Sequence, residues 1–276
     1  MLSFSSVLSD ARNFISNNFT IIVTIVVILS IITQMINVLL SPSIETISPI
    51  KSILEQTIQQ YGELSAEALT NTLNSLSEQQ KQQLVPVAMS FLFKVGLVFL
   101  VTNLIAMSCV LATIYTISAQ QFSLNNLLQS LIKIAPQILF FMLLAIPGFI
   151  ILSLVASVLA PIAAPLGMLA AVFYMAAYIV FLAVIIDPMP YAGFIYKLKI
   201  TLHFLRREMR LILPMVAIWL LASFLLKAMA GMLADNNFIV ETIFSVFKLL
   251  LSFLTVCYLY RLYSLSNNML PYDARN

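Results

Sequence analysis

The 53 residues "IAPQILFFMLLAIPGFIILSLVASVLAPIAAPLGMLAAVFYMAAYIVFLAVII" (134–186) carry no charged side chain, with Lys133 before them and Asp187 after. As one straight helix they would extend roughly 80 Å at 1.5 Å per residue. A bilayer core of about 30 Å is crossed by about 20 residues. The run is expected to cross twice. "APIAAP" (160–165) predicts the reversal, because each proline removes a backbone donor and disfavours helix in the residue before it. That places spans at Ile134–Ala160 and Leu166–Ile186.

The rest of the chain repeats the pattern. Hydrophobic residues make up 61% of the 276 and charged residues only 9%, with a mean hydropathy of +1.02. Soluble domains run near about 25% charged, so so few charges could not solvate this surface. Lipid must be the solvent. Phe19–Leu40, about Val95–Ile117, about Leu211–Met232 and about Phe238–Tyr263 supply four further spans, six in all. The runs are apolar all round, whereas a membrane β-barrel alternates with a period of two. The first run is longer than a signal-peptide core and "LLSPSIE" lacks a small-x-small cleavage site, so it reads as a permanent helix. The fold class is an all-α integral membrane protein, residues 1–276 forming one polytopic domain.

Lysine and arginine set the orientation. With six spans both termini share a side, and that side holds Arg12, Lys133, Lys197, Lys199, Arg206, Arg207, Arg210, Arg261 and Arg275, nine of the 14 cations. The bias makes it the cytoplasm. The opposite, periplasmic side receives residues 41–84 as a helical insertion rich in glutamate. Ser48-Pro49 there predicts a helix start, Ser65 a second helix, and Ser77-Glu78-Gln79-Gln80 a capping box leading into the second span. Ile53, Ile58, Leu64, Leu69 and Leu73 form its expected apolar face, and it is expected to lie as a lid over the outer ends of the spans.

"KLKITLHFLRREMR" (197–210) holds six of the chain's 25 formal charges and its only histidine. At about 100° per residue, Lys199, His203, Arg206 and Arg210 share one helical face, and Leu198, Leu202, Leu205 and Met209 an adjacent one. That pattern describes an interfacial helix, its leucines at the acyl boundary and its cations among headgroups. Lys199, His203, Arg206, Arg207 and Arg210 are the candidate lipid-headgroup residues, the three arginines closest to phosphate because guanidinium binds it bidentately. "SLNNLLQSLIKIAP" (123–136) aligns with "TLHFLRREMRLILP" (201–214), with Ser123 and Thr201 both at an early-helix position. "SSVLSDARNFISNNF" is a third amphipathic lead-in, so the organisation reads as three amphipathic-helix-plus-hairpin units.

"DARNFISNNFT", "LSPS", "LSEQQKQQL", "IPGFIIL", "REMRLILPMVAIWLLA" and "YLYRLYSL" occur in this order between Asp10 and Leu265. In this the chain resembles the YciC family, uncharacterised multi-pass inner-membrane proteins of gammaproteobacteria. The resemblance implies the cell inner membrane and a topology. It implies no activity and no catalytic residue.

Catalytic motifs are missing. Six scattered glycines make no phosphate loop or dinucleotide fingerprint. One histidine and two cysteines, Cys109 and Cys257, make no closed zinc site, and both cysteines read as small buried hydrophobes. No acidic residue stands in the middle of a span, which disfavours intramembrane proteolysis and proton coupling. No enzyme activity, cofactor or nucleic-acid partner is expected. The leading expectation is a structural, lipid-related or partner-scaffolding role, with membrane lipids, anionic ones among them, as partners. The alternative is a small-solute transporter or channel, suggested by Pro147-Gly148, Pro214, Asn103, Gln137, and a polar pair Glu241 and Lys248 near the outer surface.

Overall fold

A computed structural model of the chain describes residues 2–40, 42, 44–62, 65–186, 194–233 and 237–268, with side chains described outside 44–47, 66, 146, 149–150 and 152–171. Every element among the described residues is a helix: α1 (Phe4–Asn17), α2 (Phe19–Leu40), α3 (Ile44–Tyr61), α4 (Ala66–Ser75), α5 (Glu78–Ser118), α6 (Leu124–Ile185), α7 (Phe194–Leu233) and α8 (Phe238–Asn268). Five stretches are long and apolar enough to cross a membrane: Phe19–Leu40, Glu78–Ser118, Leu124–Ala145, Phe194–Leu233 and Phe238–Ser266. Val172–Ile185 is a shorter apolar helix. The protein is membrane-embedded and all-α.

Helical backbone continues from Leu124 to Ile185, 62 residues, yet α6 is not straight. The ring of Phe141 stacks on Phe181 at 3.9 Å and on Tyr178 at 5.3 Å. The Tyr174 hydroxyl donates to the Ala145 carbonyl, and a Cβ added to Gly148 would meet that hydroxyl at 3.2 Å. Each pair is symmetric about a point near residue 160, at the start of "APIAAP". The chain therefore doubles back there into two antiparallel arms, as the uncharged run requires, with helix on both sides of the reversal. Each such aromatic pair adds about 0.5–1.5 kcal/mol beyond its buried area.

The chain divides into two compact units, Met1–Gln34 with Leu104–Asn276, and Met35–Asn103. In the larger unit α6, α7 and α8 pack on one another and α1 lies against α8. Val7 and Ala11 of α1, Leu111 and Ile114 of α5, Ile138 and Phe181 of α6, Phe204 and Ile212 of α7, and Phe253 and Leu259 of α8 belong to one buried core. The α7–α8 hairpin is buried at its open end. Its tip exposes Phe224, Met229, Met232, Ile239 and Phe247, side chains whose solvent is hydrocarbon.

In the smaller unit α3 packs on α4. Ser65 caps α4 by accepting from the Ala68 amide at 3.1 Å. Ser77 and Gln80 exchange the two bonds of the expected capping box, and α5 runs on from it into the span. The start expected at Ser48-Pro49 is corrected: α3 already begins at Ile44 and carries Pro49 inside, losing one helical bond that a short exposed helix tolerates near its beginning. The expected apolar face is corrected in part. Ile53, Leu69 and Leu73 are half-buried, but Ile58 is exposed, and the fully buried side chains are Thr57, Ala68 and Thr72. Each threonine returns its hydroxyl to its own helix, at the Ile53 and Ala68 carbonyls. Leu64 lies outside the described residues.

The doubled-back α6 is directly testable. Nitroxide labels at Ala145 and Tyr174 would stand about 44 Å apart on a straight helix. Pulsed electron resonance is expected to give less than half that distance.

Candidate functional site

The basic segment forms the first half of α7, and a bend separates it from the apolar half. Glu208 departs from helical geometry (φ −107°, ψ 19°), and Pro214 follows within the same helix. A proline cannot donate to the carbonyl four residues back, and its ring crowds the preceding turn. The Tyr258 hydroxyl of α8 donates to the Leu211 carbonyl at 3.0 Å within this loosened turn. Tyr258 is wholly buried, so the bond forms away from water.

The two faces of the segment separate by charge. Lys199, His203, Arg206 and Arg210 are all exposed. Thr201, Phe204 and Leu205 are buried against the larger unit's core. The expected leucine face is partly corrected. Leu198 and Leu202 are 37% and 54% exposed, flanking the cations, but Leu205 is 1% exposed. At about 100° per residue Leu205 lies farthest round from the cation face, so it turns into the protein. Thr201, expected at an early-helix position, sits seven residues inside α7 and donates to the Lys197 carbonyl at 2.9 Å. Ser123 does cap α6, accepting from the Asn126 amide at 3.1 Å.

Lys197, the first cation of the segment, is only 7% exposed. Its ammonium donates to Gln137 Oε1 at 3.0 Å and to the Ile185 carbonyl at 3.2 Å. It therefore ties both arms of α6 to α7 and places positive charge at a helix C-terminus, where the dipole favours it. Arg207, itself exposed, is engaged within the protein: Nε donates to Glu208 at 3.0 Å and Nη2 donates to the Ser266 hydroxyl. Ser266 in turn donates to Glu208 at 2.6 Å. The bend residue is thus clamped to the end of α8.

The other end of the clamp is α1. Ser3 caps this helix with a reciprocal bond to Ser6. Asp10 takes Arg261 of α8 in a two-pronged ion pair, Nε to Oδ2 and Nη2 to Oδ1 at 3.0 Å. Such fork geometry is stronger than a single-point contact between exposed charges. Phe4 packs on the Tyr258 ring at 5.4 Å between centroids.

The pattern of charge counts Arg261 only toward orientation and does not single out Asp10, Glu208, Tyr258 or Ser266. A signal was present: Asp10 and Glu208 are rare acids next to basic membrane boundaries, and such carboxylates are held by partners. Among the groups weighed as a polar path, Gln137 is taken by Lys197, and Asn103 donates to the Phe99 carbonyl of its own helix at 2.8 Å. Gly148 admits Tyr174, and no ion pair joins Glu241 to Lys248 among the described residues. Cys109 and Cys257 are free thiols, the second buried. No group of three or more His, Cys, Asp or Glu side chains that could hold a metal occurs among the described residues. Comparison with known proteins returns no matching family model, curated protein or solved structure.

Removing the Tyr258 hydroxyl tests the brace at the bend. Tyr258→Phe removes a buried hydrogen bond between α8 and α7 and is expected to cost about 1 kcal/mol. A lowered Tm in detergent micelles would report it, and an unchanged Tm would mean that this bond does not brace the bend.

Proposed function

We propose that this chain is a multi-pass protein of the bacterial inner membrane, with six spans and both termini cytoplasmic, whose role is structural and lipid-related without catalysis. The observation that carries this reading is the outward face of α7. Lys199, His203, Arg206 and Arg210 point away from the protein beside exposed Leu198 and Leu202, a combination suited to phosphate headgroups and the acyl boundary beneath them. Arg207 holds the segment in place from behind. The resemblance to the YciC family and the excess of cations at this end support the orientation. A transport role has less support, because Gln137, Asn103 and Gly148 are each engaged in packing or in bonds within the protein.

Two measurements test the reading. Reporters fused after Gln120 and after Gly62 are expected on opposite sides, the first cytoplasmic; the same side for both would overturn the topology. Each basic residue near an anionic leaflet contributes about 1 kcal/mol. A Lys199→Gln/Arg206→Gln/Arg210→Gln variant with unchanged orientation is therefore expected to hold anionic phospholipid on the order of a hundredfold more weakly. Native mass spectrometry of protein released from vesicles of mixed phosphatidylglycerol and phosphatidylethanolamine reads this directly. Equal retention in the two proteins would remove the headgroup role.

A further inference from the structure

The contacts at the open end of the α7–α8 hairpin form a connected path from α1 to the basic face. Phe4 lies on Tyr258, and Tyr258 donates to Leu211 just beyond the bend. Arg261, about one turn along α8, grips Asp10. Ser266 closes the path by bonding Arg207 and the bend residue Glu208. One side of α8 is thus held by α1 while the other sets the angle of α7.

Both helices lead into spans, α1 through Asn18 into α2 and the basic half of α7 through the bend at Glu208. α1 has 14 residues, a length at which an isolated helix is marginal, so docking is what keeps it folded. Val7 and Ala11 are its wholly buried side chains. Asp10 is its charged contact with α8, while Arg12 is exposed. Phe4, Leu8, Phe14 and Ile15 pack partly buried against the core beside Val7 and Ala11, so undocking α1 exposes less apolar surface than moving a span would.

We propose that α1 is a latch: docked through Asp10–Arg261 and Phe4–Tyr258, it holds α8 so that Tyr258 and Ser266 fix the bend at Glu208, and with it the presentation of Lys199, His203, Arg206 and Arg210. This deepens the headgroup reading and rests on it for the consequence of unlatching. Release of α1 frees the end of α8, loosens the bend and turns the basic face out of register with the interface. Anything that competes for Asp10 or Arg261 would therefore weaken lipid retention at residues that it never touches.

The test removes the pair without leaving a bare charge. An Asp10→Asn/Arg261→Gln protein in phosphatidylglycerol-containing vesicles is compared with wild type by amide hydrogen exchange and native mass spectrometry. Exchange is expected to rise roughly fivefold or more in α1 and also across residues 197–207, with 216–230 unchanged, and retained phosphatidylglycerol to fall. The swapped pair Asp10→Arg/Arg261→Asp should restore both. Faster exchange confined to α1, or a swap that leaves 197–207 fast, overturns the latch. Should the neutral pair not fold, Phe4→Ala reads the same coupling from the other contact. A wild type that retains no phosphatidylglycerol would sink the headgroup reading alone, since the exchange arms decide the latch by themselves.

Discussion

The hydrogen bond from Tyr258 to the Leu211 carbonyl ties α8 to α7 beside the point where α7 is weakest. Pro214 has no N–H, so the carbonyl of Arg210, four residues back, loses its helical donor. A turn with less bonding of its own is held from a second helix, which presents a hydroxyl at that height. Once Tyr258 stands there, α8 is fixed in rotation, and Arg261 and Ser266 are carried to the flanks where α1 and the bend residue wait. The packing of the open end follows from that one rotation.

Hydrocarbon offers a polar group no partner, and that accounts for several threonine hydroxyls in the spans. Thr33, Thr113, Thr116 and Thr255 each donate to the carbonyl four residues earlier. A threonine that closes on its own helix becomes a small, almost apolar filler. That explains how buried Thr113, Thr116 and Thr255 pack in a core beside Ile114 and Val256. The polar groups that bridge helices lie elsewhere: Gln34 reaches the Glu241 carbonyl, Lys197 reaches Gln137, and Tyr174 reaches Ala145. These tie neighbouring segments together.

What could be read in the residues was what depends on chain length and local spacing. The reversal near residue 160 follows from 53 uncharged residues facing a bilayer too thin for them, and the caps at Ser65, Ser77 and Ser123 from side chains bonding three residues away. The outward cations at 199, 203, 206 and 210 follow from helical spacing alone. The misreadings arise where distant contacts decide. Leu205 looks interfacial by period and is drawn into the core by the packing of α7 on its neighbours. Lys197 looks like one more solvated cation until Gln137 and Ile185 are brought to it from 60 and 12 residues away. Ion pairs such as Asp10–Arg261 join the two ends of the chain, and no local pattern encodes them.

Arg206 and Arg207 show how one basic stretch serves two purposes. Consecutive helical residues point about 100° apart. Arg206 therefore falls on the exposed stripe, while Arg207 reaches round to Glu208 and Ser266. A carboxylate beside the stripe would cancel part of its field if it were left free. Held between Arg207 and a hydroxyl, Glu208 has its charge spent within the protein, and the outward face keeps its cations undiminished. The bend needs an acid to anchor it and the face needs none nearby. Placing Arg207 between them satisfies both requirements with a single side chain.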